Sequence, residues 1–265
     1  MLAVSASAGT TDKPVIQAGL GAFSWFCAIL YTYLRNGLED LHEDRVNGST
    51  RPLASGQLSR RAALTMAYGA LAAALVAAAA AGPAPLILCA VLLFLGHAYS
   101  APPFAWKNRT SAAMGVVLAS GLLTYCAGPA ALGVPVYAPG LLVMSAGMSL
   151  WMALVGAVAK DLSDIAGDAA AGRRTWAVTL GERRTRLLVA AGALAVGAGF
   201  TGAALRWAPG LLPTAVVMLV GGAVLAAVAL ADGAAASRRA GRRPYRVFMV
   251  TQHLAHLSLL AQAAV

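Results

Sequence analysis

The sequence predicts an all-helical bundle that spans a membrane several times. Of the 265 residues, 59% are hydrophobic and only 11% are charged, a balance that is unusual for a soluble domain. Apolar runs of about 20 residues, long enough to cross a bilayer as helices, recur along the chain. The basic residues are concentrated in alternate connections between these runs, as expected when the loops on one side of a membrane are positively charged.

Eight spans are predicted in one domain over residues 15–265, after an N-terminal segment of residues 1–14 that is too short to cross. Gly and Pro residues end the helix after the first span, and Ser59 is suited to cap the N-terminus of the second helix. The run Gly82–Pro85 forms the turn to the third. The eight spans lie near residues 15–37, 62–81, 85–105, 111–129, 139–160, 186–206, 211–231 and 246–264.

The basic residues fall almost entirely on one side of this topology, and only Lys13 and Arg206 lie on the other. This asymmetry predicts that the basic side faces the cytoplasm. It also explains the net charge of +10 without nucleic acid as a partner, since a basic rim suits anionic membrane lipids or an anionic substrate. The basic side holds Arg35, Arg45, Arg51, Arg60, Arg61, Lys107, Arg109, Lys160, Arg173, Arg174, Arg183, Arg184, Arg186, Arg238, Arg239, Arg242, Arg243 and Arg246.

Two polar clusters stand at the ends of apolar spans, and the rest of the chain is arranged around them. Within each cluster the side chains recur at steps of three or four residues, so on a helix they line one face. The two sets are Asn36, Asp40 and Asp44, and Asp161, Asp164 and Asp168. Four complete spans separate the sets, so both face the same side of the membrane, and this topology favours one shared site.

Carboxylates this close together repel one another unless a cation lies between them. Magnesium prefers hard oxygen ligands and is usually held by a few carboxylates together with substrate phosphates. We therefore predict Mg²⁺ as the cofactor, with Asp40, Asp44, Asp164 and Asp168 as its ligands. Since the acids are expected to await a cation, removing one of them is predicted to relieve repulsion and to leave the fold intact.

Five further side chains are candidates for binding a diphosphate. Arg51 lies in the Gly- and Pro-rich loop after the first cluster and could meet phosphate oxygens bidentately, although a charge that only sets topology is equally compatible with this position. Tyr99 and Lys107 flank two prolines at the end of the third span. Lys160 precedes the second cluster, and Arg173 follows it in a basic segment that is predicted to be a mobile phosphate lid.

These motifs resemble those of the UbiA superfamily of intramembrane prenyltransferases, from about residue 15 to the C-terminus. The resemblance implies a UbiA-type all-α bundle with a central cavity that opens laterally to lipid and is capped by cytoplasmic loops. The matching motifs are NxxxDxxxD at Asn36, Asp40 and Asp44; RPLxxG at Arg51, Pro52, Leu53 and Gly56; YSxPPxxxK at Tyr99, Ser100, Pro102, Pro103 and Lys107; and KDxxDxxGD at Lys160, Asp161, Asp164, Gly167 and Asp168, followed by Thr175.

The resemblance further implies magnesium-dependent transfer of an isoprenoid from an allylic diphosphate to a lipophilic, aromatic acceptor, with release of pyrophosphate. The six residues of the two polar clusters would then be catalytic. Asn36 would orient a ligand rather than transfer a proton, because an amide does not titrate. The alternative is a terpene cyclase of the same fold, which uses the same metal chemistry on the donor alone. A transporter or lipid-binding protein is a third interpretation, disfavoured by the cations that flank both clusters.

Two departures from the family's pattern bear on these expectations. Family members usually have nine spans and eight are predicted here. Either the first helix is absent, or the natural gene begins upstream of Met1 and the N-terminal segment is the remnant of that helix, with residues 1–4 as its tail. Members that take 4-hydroxybenzoate share an arginine about two turns before the motif asparagine. The corresponding position here is near Ile29, which disfavours a carboxylated aromatic acceptor.

Overall fold

The computed structural model describes residues 12–231 and 238–263, and in this part of the chain it contains helices and no strand. The all-α class is therefore confirmed. The α-helices are α1 (Asp12–Glu39), α2 (Leu41–Val46), α3 (Arg60–Ala81), α4 (Pro83–Ser100), α5 (Thr110–Leu132), α6 (Pro139–Leu150), α7 (Ala157–Ala170), α8 (Trp176–Thr179), α9 (Glu182–Trp207), α10 (Leu212–Ala231), α11 (Arg238–Gly241) and α12 (Arg243–Ala263).

Among the described residues, seven helices are long and apolar enough to cross a membrane, and each overlaps one of the predicted spans. The eighth predicted span corresponds to α12, which is of similar length but contains Arg243, Arg246, His253 and His256 and is not among the seven. An eighth crossing therefore stays a prediction. Residues 1–11 of the N-terminal segment lie outside the described residues. The seven spans are Val15–Glu39, Arg60–Ala81, Pro83–Ser100, Thr110–Leu132, Pro139–Ala170, Glu182–Trp207 and Pro209–Ala231.

The chain forms two compact units. In its described residues, the first comprises positions up to Lys107 and Leu122–Val136, and the second comprises Asn108–Gly121 and positions from Tyr137. Each unit has its own buried core. The single domain predicted over residues 15–265 stays a prediction.

The first unit is built on the packing of α1 against α3 and α4. Alanines recur at steps of three and four along the buried face of α3, for example Ala63, Ala67, Ala70 and Ala74. These small side chains let the backbones of α1 and α3 approach closely, as is common between membrane helices. Ser59 caps α3 as predicted, since its side chain accepts a hydrogen bond from the Ala62 backbone N–H at 3.1 Å.

The second unit is centred on a long helical rod in which a π-helical segment, Trp151–Gly156, joins α6 to α7. Trp151 is fully buried there and stacks on Phe248 of α12, with ring centroids 5.8 Å apart. Its indole N–H donates to the Phe248 carbonyl oxygen at 3.4 Å. These contacts hold the rod that carries the second acidic cluster against α12, and α9 packs against the same rod.

Two predicted boundaries were wrong in a way that matters for function. The third span ends at Ser100 rather than near residue 105, because Pro102 and Pro103 cannot continue the helix. The fifth continues as helix through the acidic cluster to Ala170 instead of ending near residue 160. The second cluster therefore lies within helix α7 rather than in the loop after it.

Replacing Gly156 by alanine is expected to lower the thermal stability of the detergent-solubilised protein. An added Cβ at Gly156 would collide with the ring of Phe248, which is already stacked on Trp151. Overpacking of this kind costs about 1–3 kcal/mol, and a thermal-unfolding assay measures it. Gly202→Ala is the matched control, because a Cβ at that helical position meets nothing within 4 Å. Equal melting temperatures of the two variants would contradict the packing argument.

Candidate functional site

The first polar cluster spans the junction between α1 and α2. The helix bends at Asp40, yet the helical hydrogen bonds continue through the bend: the backbone N–H of Asp40 donates to the Asn36 carbonyl at 2.8 Å, and that of Asp44 donates to the Asp40 carbonyl at 2.8 Å. The one-in-four spacing of the sequence is therefore kept in space. Asp40 and Asp44 are both buried, at 4% and 8% exposed.

Two basic side chains contact these carboxylates. Lys107 Nζ lies 2.5 Å from Asp40 Oδ1, and both side chains are buried. Arg51 Nη1 lies 3.1 Å from Asp44 Oδ2 and 4.0 Å from Asp40 Oδ2, while nearly half of the Arg51 side chain remains exposed. The first unit thus brings together two carboxylates and two of the predicted diphosphate ligands.

The remaining motif residues of the first unit pack around this group. Asn36 donates from Nδ2 to Ser100 Oγ at 3.3 Å, which joins the first cluster to the end of α4. Tyr99 is half-buried beside Ser100 in the sequence. The chain then leaves α4 through a cis peptide bond between Pro102 and Pro103 and reaches Lys107 in a short 3₁₀ turn. The break of the helix at Ser100 is what allows Lys107 to return to Asp40.

The second cluster lies on α7 in the second unit. Asp168 is 2% exposed, and Arg173 Nη1 donates to its Oδ1 at 3.0 Å. Asp164 is half-buried and accepts a hydrogen bond from Ser163 Oγ at 3.2 Å. Lys160 is half-buried one turn before Asp164 on the same helix. As in the first unit, a buried carboxylate is held by a predicted phosphate ligand.

Asp161 makes a different kind of contact. Its Oδ2 accepts a hydrogen bond from Thr110 Oγ1 at 3.0 Å, and the same hydroxyl oxygen accepts one from the backbone N–H of Trp176 at 2.7 Å. Arg174 adds a backbone hydrogen bond to the Asn108 carbonyl at 2.7 Å. Asp161 is therefore tied to the start of α5 and to the segment that follows α7.

The basic segment after α7, predicted as a mobile lid, is instead attached at several points. Arg173 is buried and paired with Asp168, and the next residues are bonded to the start of α5. Thr175, the motif threonine, is 2% exposed and precedes α8. The sequence reasoning missed Thr110, whose only signal was a hydroxyl at the start of an apolar span.

The residues of the first unit fit a divalent cation that arrives with a substrate. Among the described residues no three His, Cys, Asp or Glu side chains come together as a metal cluster. Asp40 and Asp44 nevertheless both approach the same nitrogen of a cationic side chain, Arg51 Nη1. Their oxygens are therefore placed so that both could coordinate one cation. Two carboxylates completed by phosphate oxygens are a usual coordination for Mg²⁺.

Comparison with known proteins decides the family. The model of the UbiA prenyltransferase family matches residues 1–251. This chain belongs to that family. This UbiA protein is 34% identical over 181 residues to a 2-acylphloroglucinol 4-prenyltransferase of Humulus lupulus, a match that covers 66% of this chain and 44% of that enzyme. It is 32% identical over 179 residues to digeranylgeranylglyceryl phosphate synthase of Halobacterium salinarum, which covers 66% of this chain and 61% of that one.

The match to the Humulus lupulus (hop) enzyme thus spans less than half of that protein's length. Among solved structures, a UbiA homologue from Archaeoglobus fulgidus bound to GPP and Mg²⁺ is 20% identical, with a TM-score of 0.66 over 94% of this chain and 88% of that one. An apo UbiA homologue from Aeropyrum pernix K1 gives a TM-score of 0.67 at 20% identity, over 98% and 93%. These likenesses confirm the UbiA fold. Membership of the UbiA family and the seven apolar helices among the described residues identify an integral membrane protein.

Proposed function

We propose that this UbiA-family protein transfers an isoprenoid from an allylic diphosphate to a lipophilic aromatic acceptor and releases pyrophosphate in a magnesium-dependent reaction. One observation carries the proposal. At the end of the apolar helix α1, two buried carboxylates, Asp40 and Asp44, lie within reach of the same arginine nitrogen, with a buried lysine beside them. Acids and bases concentrated at the edge of a membrane helix indicate a functional site, and this donor set suits a metal–diphosphate substrate.

The chain's own residues perform most of the binding work in this proposal. Asp40, Asp44, Asp164 and Asp168 would hold Mg²⁺, which when bound supplies positive charge that stabilises the departing diphosphate. Arg51 is half exposed, so its guanidinium can turn from Asp44 to phosphate oxygens and bind them bidentately. The Arg51 guanidinium and the Lys107 ammonium neutralise Asp44 and Asp40 before the substrate arrives, and both are available for phosphate afterwards.

The bond changes follow from this charge arrangement. The allylic C–O bond breaks, and its electron pair leaves with pyrophosphate, where the lysine and arginine charges stabilise it. A carbon of the acceptor ring supplies the electron pair of the new C–C bond, and the ring then loses a proton. In this proposal the apolar spans keep water from the allylic cation, which would otherwise be hydrolysed.

The acceptor class and the orientation are parts of the same proposal. The hop relative's name specifies an acylphloroglucinol acceptor, and a relative from Arabidopsis thaliana is named homogentisate solanesyltransferase. Both acceptors are phenols, which supports an aromatic acceptor here. Homogentisate also carries a carboxylate, so the acylphloroglucinol, which has none, agrees better with the absence of an arginine near Ile29. The basic loops that adjoin both acidic clusters support an active site that faces the cytoplasm.

The proposal is tested with the full chain in detergent or proteoliposomes, incubated with allylic diphosphates of increasing length and a panel of phenols. We expect pyrophosphate release and a prenylated phenol, both abolished by EDTA and restored by excess Mg²⁺. Cyclic hydrocarbons or terpene alcohols formed from the donor without any phenol would favour the terpene cyclase instead. Absence of pyrophosphate release with every donor would refute both enzymes.

A further inference from the structure

An apolar groove of about 510 Å³ runs between α10 and α12 in the second unit. Its walls are the exposed side chains Val216, Val220 and Val224 of α10, which recur one turn apart, and Val250 and Leu254 of α12. Five exposed aliphatic side chains in register form a continuous surface for a hydrocarbon chain.

The floor of the groove is formed because α10 and α12 approach closely at one point. Gly221 has no side chain, and a Cβ there would collide with Thr251 of α12. Thr214 at the start of α10 bonds Ser258 near the end of α12 at 2.7 Å, so the helices run antiparallel. From Val216 to Val224 the groove extends about 12 Å along the helix axis, close to the roughly 15 Å hydrocarbon depth of one membrane leaflet.

One end of this groove is strongly basic. Arg246 lines it and is exposed, and its side chain makes no hydrogen bond or ion pair with any described residue. Arg242 is also exposed. It lies one helical turn before Arg246, whose backbone N–H donates to the Arg242 carbonyl at 3.0 Å. From residue 209 onward the sequence contains a single acid, Asp232, which lies outside the described residues. Among the described residues of α10, α11 and α12, there is therefore no carboxylate to form an ion pair with either guanidinium.

We propose that the groove between α10 and α12 is a binding site for an anionic membrane phospholipid. One acyl chain lies along the valine wall, and the headgroup phosphate pairs with Arg246 and Arg242. A guanidinium binds a phosphodiester directly, whereas an allylic diphosphate carried by Mg²⁺ needs carboxylate ligands, which the described part of this hairpin lacks. The chemistry therefore favours a phospholipid over a second site for the donor.

Native mass spectrometry of the detergent-purified full chain tests the site, with phosphatidylglycerol and phosphatidylcholine of identical acyl chains as probes. We expect phosphatidylglycerol to be retained more tightly than phosphatidylcholine. Arg246→Gln should weaken phosphatidylglycerol binding by at least about 10-fold, since losing one charge-assisted hydrogen bond corresponds to a factor of this order or more. Val220→Trp, which fills the groove without changing charge, should weaken binding of this lipid by a similar factor.

Two control variants separate the groove from general surface effects. Arg61→Gln removes an exposed arginine at the start of α3, and Val76→Trp adds bulk to an exposed position of that helix in the other unit. Both should bind phosphatidylglycerol like the wild type. Equal loss in the control variants, equal retention of the two lipids by the wild type, or displacement of phosphatidylglycerol by an allylic diphosphate would overturn the proposal. If Arg246→Gln fails to fold, the same comparison with Arg242→Gln and Val220→Trp decides it.

Discussion

Asp44→Asn is expected to lower pyrophosphate release by on the order of 1000-fold, the scale seen when a single preorganised electrostatic group is removed from an active site. The asparagine keeps the size of Asp44 and can still accept the 3.1 Å hydrogen bond from Arg51, but it lacks the negative charge that a metal ligand supplies. Because nearly half of the Arg51 side chain is exposed, water can solvate its charge after the substitution. The effect should therefore appear in turnover and not in the melting temperature.

Glu39→Gln is the matched control for this experiment. Glu39 is an acid on the same helix, five residues before Asp44, and it pairs with Arg35 at 2.7 Å. A partly exposed i,i+4 pair contributes about 0.3–0.5 kcal/mol, so the control should retain wild-type turnover and stability. Turnover by Asp44→Asn within tenfold of the control would remove Asp44 from the proposed metal site.

The sequence predicted the membrane helices well because their signal is local. Apolar length, proline and glycine breaks, and the Ser59 cap are each properties of a short stretch of chain. The spacing of Asn36, Asp40 and Asp44 was equally readable, since helical periodicity alone puts them on one face. A bend at Asp40 did not alter this outcome, because the hydrogen bonds across it keep the helical step.

The partners of the acids could not be predicted in the same way. Lys107 is 67 residues from Asp40 along the chain, and only the path of the chain after α4 brings them together. The expectation that removing an acid relieves repulsion stays a prediction, and the buried pairs Lys107–Asp40 and Arg173–Asp168 argue against it at those two positions. Asp161 likewise looked equivalent to Asp164 and Asp168 in its spacing, yet it receives a hydrogen bond from Thr110, 51 residues away.

Lys107→Met is expected to destabilise the protein by about 3–5 kcal/mol and to abolish turnover. The destabilisation arises because the substitution removes the 2.5 Å ion-pair partner of the buried Asp40 carboxylate, whose contact with Arg51 is longer, at 4.0 Å, and breaking one side of a buried pair is costly. Turnover is lost for a second reason, since the proposed reaction uses the same ammonium to stabilise pyrophosphate. Thermal unfolding in detergent and a pyrophosphate-release assay measure the two effects separately.

The double variant Asp40→Asn, Lys107→Met distinguishes these two roles. It removes both charges of the pair; replacing a buried ion pair by apolar groups of similar volume is often nearly neutral for stability, and an asparagine costs far less to bury than an unpaired carboxylate. We expect the double variant to recover most of the melting temperature lost in Lys107→Met, while turnover remains at least about 100-fold below the wild type. Recovery of turnover together with stability would make the pair a structural element only, and a Lys107→Met protein as stable as the wild type would contradict the buried ion pair. The expected separation of stability from turnover follows from one property of the site: the charges that hold the carboxylates before the substrate binds are the charges that the departing pyrophosphate requires.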